Sequence, residues 1–230
     1  MGDLRVIAAL IKGMPRQGSH QERLEGFYGP QADDYDAFRE RLLPGRAELM
    51  QALPLPPAAV LAEFGGGTGR NLESLGARLR TCRRAVVVDL CRPLLAQAQQ
   101  RARRLGWGNV ETAHGDACTW SAGEPLDAAV FAFSLTMIPD WRTAVDNAWR
   151  QLRRGGVLAV ADFHLPWRAG WVARAFWPRW FAHDGVHPSD AHLPHLAGLG
   201  DVVDVAEGAV RVPWLCGLRA PTYRCIVRKP

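Results

Sequence analysis

Seven residues, Glu63-Phe64-Gly65-Gly66-Gly67-Thr68-Gly69, constrain this chain more than any others. They follow the apolar run Val60-Leu61-Ala62 and precede a segment with helical spacing that reaches Leu79. Glycines at alternate positions let the backbone turn tightly and let a ligand approach the main chain without meeting a side chain. A loop of this kind between strand and helix marks the ligand edge of an open parallel sheet, where small molecules bind beyond the carboxyl ends of the strands. About 20 residues past the loop, the apolar run Ala85-Val86-Val87-Val88 ends in Asp89, where a carboxylate can bond the two hydroxyls of a ribose.

Strand and helix signals alternate from there on. A helix is expected from Pro93 to Leu105, a short strand over Val110–Ala113 and a fourth strand over Asp127–Phe133. Asp140 is placed to cap a helix that ends near Arg153, after which Gly155-Gly156 turns the chain into Val157–Ala161. Short apolar strands separated by helices predict an α/β fold, a doubly wound and mostly parallel sheet of about seven strands with helices on both faces. Ala209–Val212, stopped by Pro213, and Thr222–Val227 read as a closing antiparallel hairpin. Residues 1–54 read as an N-terminal helical segment that caps the site, joined by the stiff Pro54, Pro56 and Pro57 to a main domain over 55–230 with an aromatic-rich insertion near 164–196. In the first segment Val6–Ile11, ended by Lys12, reads as a turn or two of amphipathic helix, and Asp33–Asp36 as the start of a second helix that Pro44-Gly45 breaks.

Charge and cysteine usage narrow the classes. The chain is 48% hydrophobic and 22% charged, with a net charge of +5. Its only lysines are Lys12 and Lys229. The basic excess is therefore arginine, whose planar fork suits phosphates and carboxylates. An anionic membrane surface, nucleic acid or an acidic small molecule would all fit that balance, and no RNA-recognition motif argues for nucleic acid. Cys82, Cys91, Cys118, Cys216 and Cys225 are odd in number and contain no CxxC, which argues against a disulfide framework or a zinc site and for reduced thiols in a cytosolic protein. His183, His187, His192 and His195 cluster, yet Gly185 and Pro188 break any helix there and no HExxH occurs, so no metal is expected. The sequence leaves the oligomeric state open.

A dinucleotide fingerprint, G-x-G-x-x-G, would need glycine where Arg70 stands. The acid-x-G-x-G-x-G pattern instead resembles motif I of the Rossmann-like class I methyltransferases, which use S-adenosyl-L-methionine. The resemblance implies that Glu63 faces the methionine end of the cofactor and that Gly65, Gly66 and Gly67 cradle it. Asp89 and Leu90 would hold the ribose, Asp116 and Ala117 of His114-Gly115-Asp116-Ala117 would meet the adenine, and Ser134 would sit where the ligand passes.

Longer segments resemble the betaine-lipid N-methyltransferases: Phe27-Tyr28-Gly29-Pro30-Gln31, Tyr35-Asp36-Ala37-Phe38-Arg39, Leu43-Pro44-Gly45-Arg46, Ser134-Leu135-Thr136-Met137-Ile138-Pro139-Asp140-Trp141, and Trp180 through His187. That resemblance implies three successive methyl transfers to the amine of diacylglycerylhomoserine. Tyr28 and Tyr35 could offer aromatic faces to the positive sulfur and nitrogen centres, or simply pack a helix onto the domain. Arg39 could pair with the cofactor carboxylate and Arg46 with that of the headgroup; a solvated helix face is the alternative for both. His164 is a candidate for proton transfer, and His183 and His187 for a headgroup-binding loop or ordinary polar loop positions. Trp167, Trp171, Trp177 and Trp180 interleave with Arg168, Arg174 and Arg179, which suits the headgroup level of a bilayer, a lid or a subunit interface. The expectation is a cytoplasmic enzyme, peripheral on the inner membrane face, with a lipid headgroup as substrate and an anionic membrane surface as partner. A quinone-like or other small acceptor, or a non-catalytic S-adenosylmethionine-binding protein, are the alternatives.

Overall fold

Neighbouring residues of the central strands point to opposite faces, and the two faces bury separate cores. Leu61, Ala85, Val87, Val130 and Ala159 pack in one core. Val60, Ala62, Val86, Val88, Ala129 and Val160 pack in the other. The structure is a computed structural model that describes residues 12–32, 36, 43, 45–165, 170–212 and 218–230.

In chain order, α1 (His20–Tyr28) and α2 (Arg46–Ala52) precede β1 (Val60–Phe64). The glycine loop runs into a tight 3-10 segment (Arg70–Leu75) and α3 (Ala77–Thr81). Then come β2 (Arg84–Asp89), α4 (Arg92–Arg104), β3 (Val110–His114) and β4 (Leu126–Ala132). A short 3-10 turn (Leu135–Met137) leads to α5 (Trp141–Gln151) and β5 (Leu152–Phe163). The chain ends with α6 (Trp171–Ala182), α7 (His192–Ala197), β6 (Asp201–Arg211) and β7 (Arg219–Arg228). The sheet order is β3-β2-β1-β4-β5-β7-β6. The first five of these strands run parallel, and β7 lies antiparallel between β5 and β6. Leu49, Leu72, Leu79, Leu95 and Ala98 cover one face, and Ala144, Val145, Ala148 and Leu196 the other. The fold is the doubly wound, mostly parallel seven-stranded sheet expected from the alternation, closed by the expected antiparallel hairpin.

Three local expectations need correction. The helix through Leu79 is broken at Gly76, whose φ of 56° and ψ of −130° no helix tolerates. β5 starts at Leu152 rather than Val157, because Leu152 already pairs with Leu126 before a register shift that Gly155 absorbs at φ 75°. β6 begins at Asp201, well before Ala209; it is an edge strand whose side chains are mostly exposed, so it lacks the apolar alternation that would announce it. The Val6–Ile11 helix and most of the helix expected after Asp33 lie outside the described residues.

Candidate active site

β1, β2 and β4 end side by side, and a cavity of about 240 Å³ opens beyond their carboxyl ends. Gly65, Gly67, Asp89, Leu90, Gly115, Asp116, Ala117 and Ser134 line it from the sheet, and His20, Leu24 and Tyr28 line it from α1. α1 starts where it does because Ser19 and Glu22 form a reciprocal capping box. The apolar Leu24, Phe27 and Tyr28 then pack with Cys91 and Leu94 at the head of α4.

The glycine loop is shaped by backbone constraints. Gly65 has φ 65°, and a Cβ there would stand 2.5 Å from that of Ser134. Its amide donates to the carbonyl of Val88 at 2.8 Å, while the Ser134 hydroxyl donates to that of Phe64 at 2.7 Å, so β1, β2 and β4 are stitched together at the cavity floor. Asp89 is nearly buried; one carboxylate oxygen accepts the Gly67 amide at 2.8 Å and the other the Cys91 amide at 2.7 Å. Burial raises its pKa, and those backbone donors oppose the rise. A carboxylate offers about four acceptor sites, so Asp89 keeps capacity for a ligand hydroxyl. Asp116 accepts the Cys118 amide at 2.8 Å. The Tyr28 hydroxyl donates to the Met137 sulfur at 2.9 Å, which presents the ring edge-on to Phe27 and within the cavity wall.

Two buried ionic arrangements hold these parts. Arg101 of α4 donates to the Thr68 carbonyl and pairs with Asp36 and with Glu73, and the Thr68 hydroxyl donates to Asp36 at 2.6 Å. The loop is thereby tied both to α4 and to the N-terminal segment. Asp162 of β5 accepts the Thr136 hydroxyl at 2.7 Å and the Thr136 amide at 3.0 Å, anchoring the turn whose Met137, Ile138, Pro139 and Asp140 line the cavity. Burial lifts the Asp162 pKa to about 6. Phe133, the first residue past β4, holds φ 56°. A non-glycine residue in that region is strained and is characteristic of sites over-determined by their surroundings.

The structure brings together Tyr28, Gly65, Gly67, Asp89, Leu90, Asp116, Ala117 and Ser134 in one cavity. Other expected site residues stand elsewhere. Glu63 is fully buried and is not part of the wall; one oxygen accepts Asn71 Nδ2 at 2.5 Å and the other has no hydrogen-bond partner. Gly66 lies over it, with room for no Cβ beside Val87 and Glu63. Arg46 donates from Nε to the Leu43 carbonyl and lines a second, polar cavity of about 310 Å³ with Asn71, Arg70 and Glu73. His164 follows β5 directly, and pairing with β7 carries it away from the cavity: its amide donates to Pro221, and its ring lies 3.2 Å from Glu207 and against Tyr223. His183 and His187 are exposed and outside the cavity wall, because their backbones serve as fasteners, to Met14 and to Thr136 respectively. Tyr35 and Arg39 lie outside the described residues.

His20, Leu24 and Leu94 line the cavity without having been expected there, and so do Cys118, Phe133 and Met137–Asp140, which the sequence had marked only as a cysteine, a strand end and part of a family-like segment. The Ser19-x-x-Glu22 capping box was the legible signal for α1 and hence for His20 and Leu24. Among the described residues, no group of three or more His, Cys, Asp or Glu side chains is placed to hold a metal ion, and no helix is long and apolar enough to cross a membrane.

Residues 61–156 match the family model described as a methyltransferase domain. Over those residues, under half of the chain, the sequence is similar to a methyltransferase domain. Trans-aconitate 2-methyltransferase of Azoarcus sp. (strain BH72) is 29% identical over 133 residues, covering 57% of this chain and 50% of that protein. The ubiquinone/menaquinone biosynthesis C-methyltransferase UbiE of Sinorhizobium fredii is 34% identical over 107 residues, covering 44% of this chain and 40% of the relative. The chain thus spans half or less of the length of these curated relatives. In fold, it resembles N-methyltransferase NodS from Bradyrhizobium japonicum WM9 in complex with S-adenosyl-l-homocysteine, with a TM-score of 0.67, 21% identity, and coverage of 90% of this chain and 98% of that one. The cavity fits a nucleoside cofactor on its own chemistry. A buried carboxylate with spare acceptor capacity faces a wall of Leu90, Leu94, Ala117 and Ile138, and Asp116 lines the same cavity.

Proposed function

We propose that this chain transfers methyl groups from S-adenosylmethionine to the primary amine of a lipid-borne amino acid, diacylglycerylhomoserine, and continues to the trimethylated betaine. The observation that carries the methyl-transfer reading is Asp89, buried at the carboxyl end of β2, bonded to the Gly67 amide of the glycine loop and lining the cavity. The acceptor reading rests on the resemblance of the Tyr28, Ser134–Trp141 and Trp180–His187 segments to betaine-lipid N-methyltransferases. It is supported by the mainly apolar wall that Leu24, Met137, Ile138 and Pro139 give the cavity.

Bound cofactor supplies an electrophilic methyl on sulfur. Asp89 would hold its ribose, Asp116 its adenine amino group, and the backbone of Gly65 and Gly67 its approach to the sheet. The neutral amine attacks the methyl carbon, the carbon–sulfur bond breaks, and the ammonium formed gives its proton to solvent before the next transfer. Alignment and exclusion of water supply most of the rate in such a displacement. Tyr28, fixed by Met137, would set an aromatic face beside the cationic centre. No side chain of the described site needs to act as a base.

The curated relatives bear names for trans-aconitate and quinone substrates, so the test offers several acceptors. Purified protein is incubated with methyl-labelled S-adenosylmethionine and, separately, diacylglycerylhomoserine in neutral detergent micelles, trans-aconitate, and a demethylquinone. Label in the lipid, in mono-, di- and trimethylated forms, is expected. Label only in trans-aconitate or the quinone would replace the acceptor, and cofactor binding without label in any of them would favour a non-catalytic sensor.

A further inference from the structure

Among the described residues, the outer face of α6 has no partner. Trp177 and Phe181 point inward and are buried, yet Trp171 is 82% exposed, Val172 58% and Trp180 44%. A helix that is apolar on both sides needs cover on both. Its charged residues are all basic: Arg174 and Arg179 are exposed, and no carboxylate occurs between Trp171 and His183. Arg174 pairs at 2.8 Å with Asp190, an ion pair about two-fifths exposed on both sides and so readily exchanged. At the far end, the Met14 amide donates to the His183 carbonyl, which brings the exposed Lys12 and Arg16 beside the helix. Pro178 lies within the helix, and Arg179 Nη1 turns back onto the Ala175 carbonyl, so the guanidinium is held along the exposed edge.

We propose that α6 docks the enzyme on an anionic lipid bilayer, with Trp171, Val172 and Trp180 in the interface and the flanking basic groups on lipid phosphates. Tryptophan and arginine are the side chains that combine an apolar body with a polar tip and suit that depth. Negative charge on the partner complements the basic edge. One helix of 12 residues is roughly 18 Å long, and a strip of that size falls short of the roughly 800 Å² per partner of a stable protein interface. Buried ring contacts link α6 to the cavity wall. Phe181 meets Phe163 with ring centres 4.5 Å apart, Phe163 meets Phe133 at 5.0 Å, and Phe133 lines the cavity. Docking through α6 would therefore set the cavity beside the membrane that carries a lipid acceptor. This placement rests on the lipid-amine reading above, whereas the docking itself does not require it.

The test is co-sedimentation with vesicles of phosphatidylcholine alone and of phosphatidylcholine mixed with phosphatidylglycerol. It uses the full chain and its Trp171→Ser/Trp180→Ser, Arg174→Gln and Arg179→Gln variants, none of which lines the cavity. Wild type is expected to sediment with the anionic vesicles and to be released by salt. Each arginine change should weaken binding about fivefold, at about 1 kcal/mol per basic residue, and the double tryptophan change should abolish it. Cofactor binding measured by calorimetry should stay at the wild-type value in all variants, which shows them folded. Binding unchanged in the tryptophan variant, equal binding to both vesicle types, or a wild-type dimer in solution that the tryptophan changes dissolve would each overturn the proposal. Methylation of micellar diacylglycerylhomoserine is scored separately. Vesicle binding without methylation would sink the acceptor reading alone, and methylation without vesicle binding would sink the docking surface alone.

Discussion

Replacing Glu63 with glutamine should make the protein more stable at neutral pH and leave it unchanged in acid. The Glu63 side chain is fully buried, one of its oxygens has no hydrogen-bond partner, and desolvation lifts its pKa from an ordinary 4.5 to about 7 against the opposing pull of Asn71 and Arg46. In the unfolded chain the group loses its proton near 4.5, so between that pH and about 7 only the folded state keeps the proton. Stability from this group is therefore fully present below pH 4.5 and is lost as the pH rises through 7. At about 1.4 kcal/mol for each pH unit, the loss amounts to about 3 kcal/mol. Glutamine keeps the shape and cannot ionise. Urea unfolding of wild type and Glu63→Gln, compared across that range, should give a difference near zero at the acid end that grows to about 3 kcal/mol at about pH 8. The same proton should answer to the cofactor, whose sulfonium and ammonium favour an ionised neighbour. Calorimetry in buffers of different ionisation enthalpy should then show about half a proton released per cofactor bound near pH 7, and none in the variant. A stability difference that is flat with pH would refute the raised pKa. A pH-dependent difference with no proton release would refute the placement of Glu63 near the positive end of the ligand.

Two further outcomes follow from buried polar groups. Asp89→Ala removes a charged acceptor facing the cavity together with the anchors of the Gly67 and Cys91 amides; at about 1.5–3 kcal/mol for hydrogen bonds to a charged group, cofactor affinity should fall roughly 10- to 100-fold by calorimetry, and an unchanged Kd would remove Asp89 from the ribose site. His192 is fully buried with both ring nitrogens unpartnered, and burial lowers its pKa to about 4. The unfolded chain takes up that proton first as the pH falls from 6.5, so wild type should lose up to about 3 kcal/mol between there and pH 4, while His192→Phe should not; equal acid sensitivity of the two proteins would contradict the buried neutral ring.

Backbone chemistry was the legible part of this molecule. The glycine loop, the apolar strands and Asp140 as a helix cap each act through nearest neighbours in sequence, and each stands where periodicity and capping put it. Asp89 was legible for the same reason, since a carboxylate that ends an apolar strand has the sheet edge as its address. What escaped were positions decided by contacts distant in sequence. Nothing local to Asp162 says that it will bond Thr136, 26 residues earlier. Phe133 reads as a strand residue and becomes the strained corner beyond β4. His164 had the right address, just past a strand end, but β5 is followed in the sheet by an antiparallel neighbour, and the ring is captured by Glu207 and Tyr223. Only the strand order could have revealed that.

The three carboxylates buried at the ligand edge divide their work by how their oxygens are used. Asp162 gives its oxygens to Thr136 and to the following amide, so its negative charge fixes a turn and has little left for a ligand. Asp89 holds one amide on each oxygen and keeps the remaining lone pairs toward the cavity, so it can fix the loop and bind at once. Glu63 alone has an oxygen with no hydrogen-bond partner. Burying a carboxylate in that state is costly unless a positive or hydrogen-bonding group completes it. Arg46 lies on the flank of the loop where Asn71 also lines the second cavity, and it already pulls on the Glu63 charge. The cationic, amino-acid end of the cofactor would complete Glu63 best from that flank, while the nucleoside occupies the cavity beside Asp89. The two cavities would then be the two ends of one binding groove under the glycine loop.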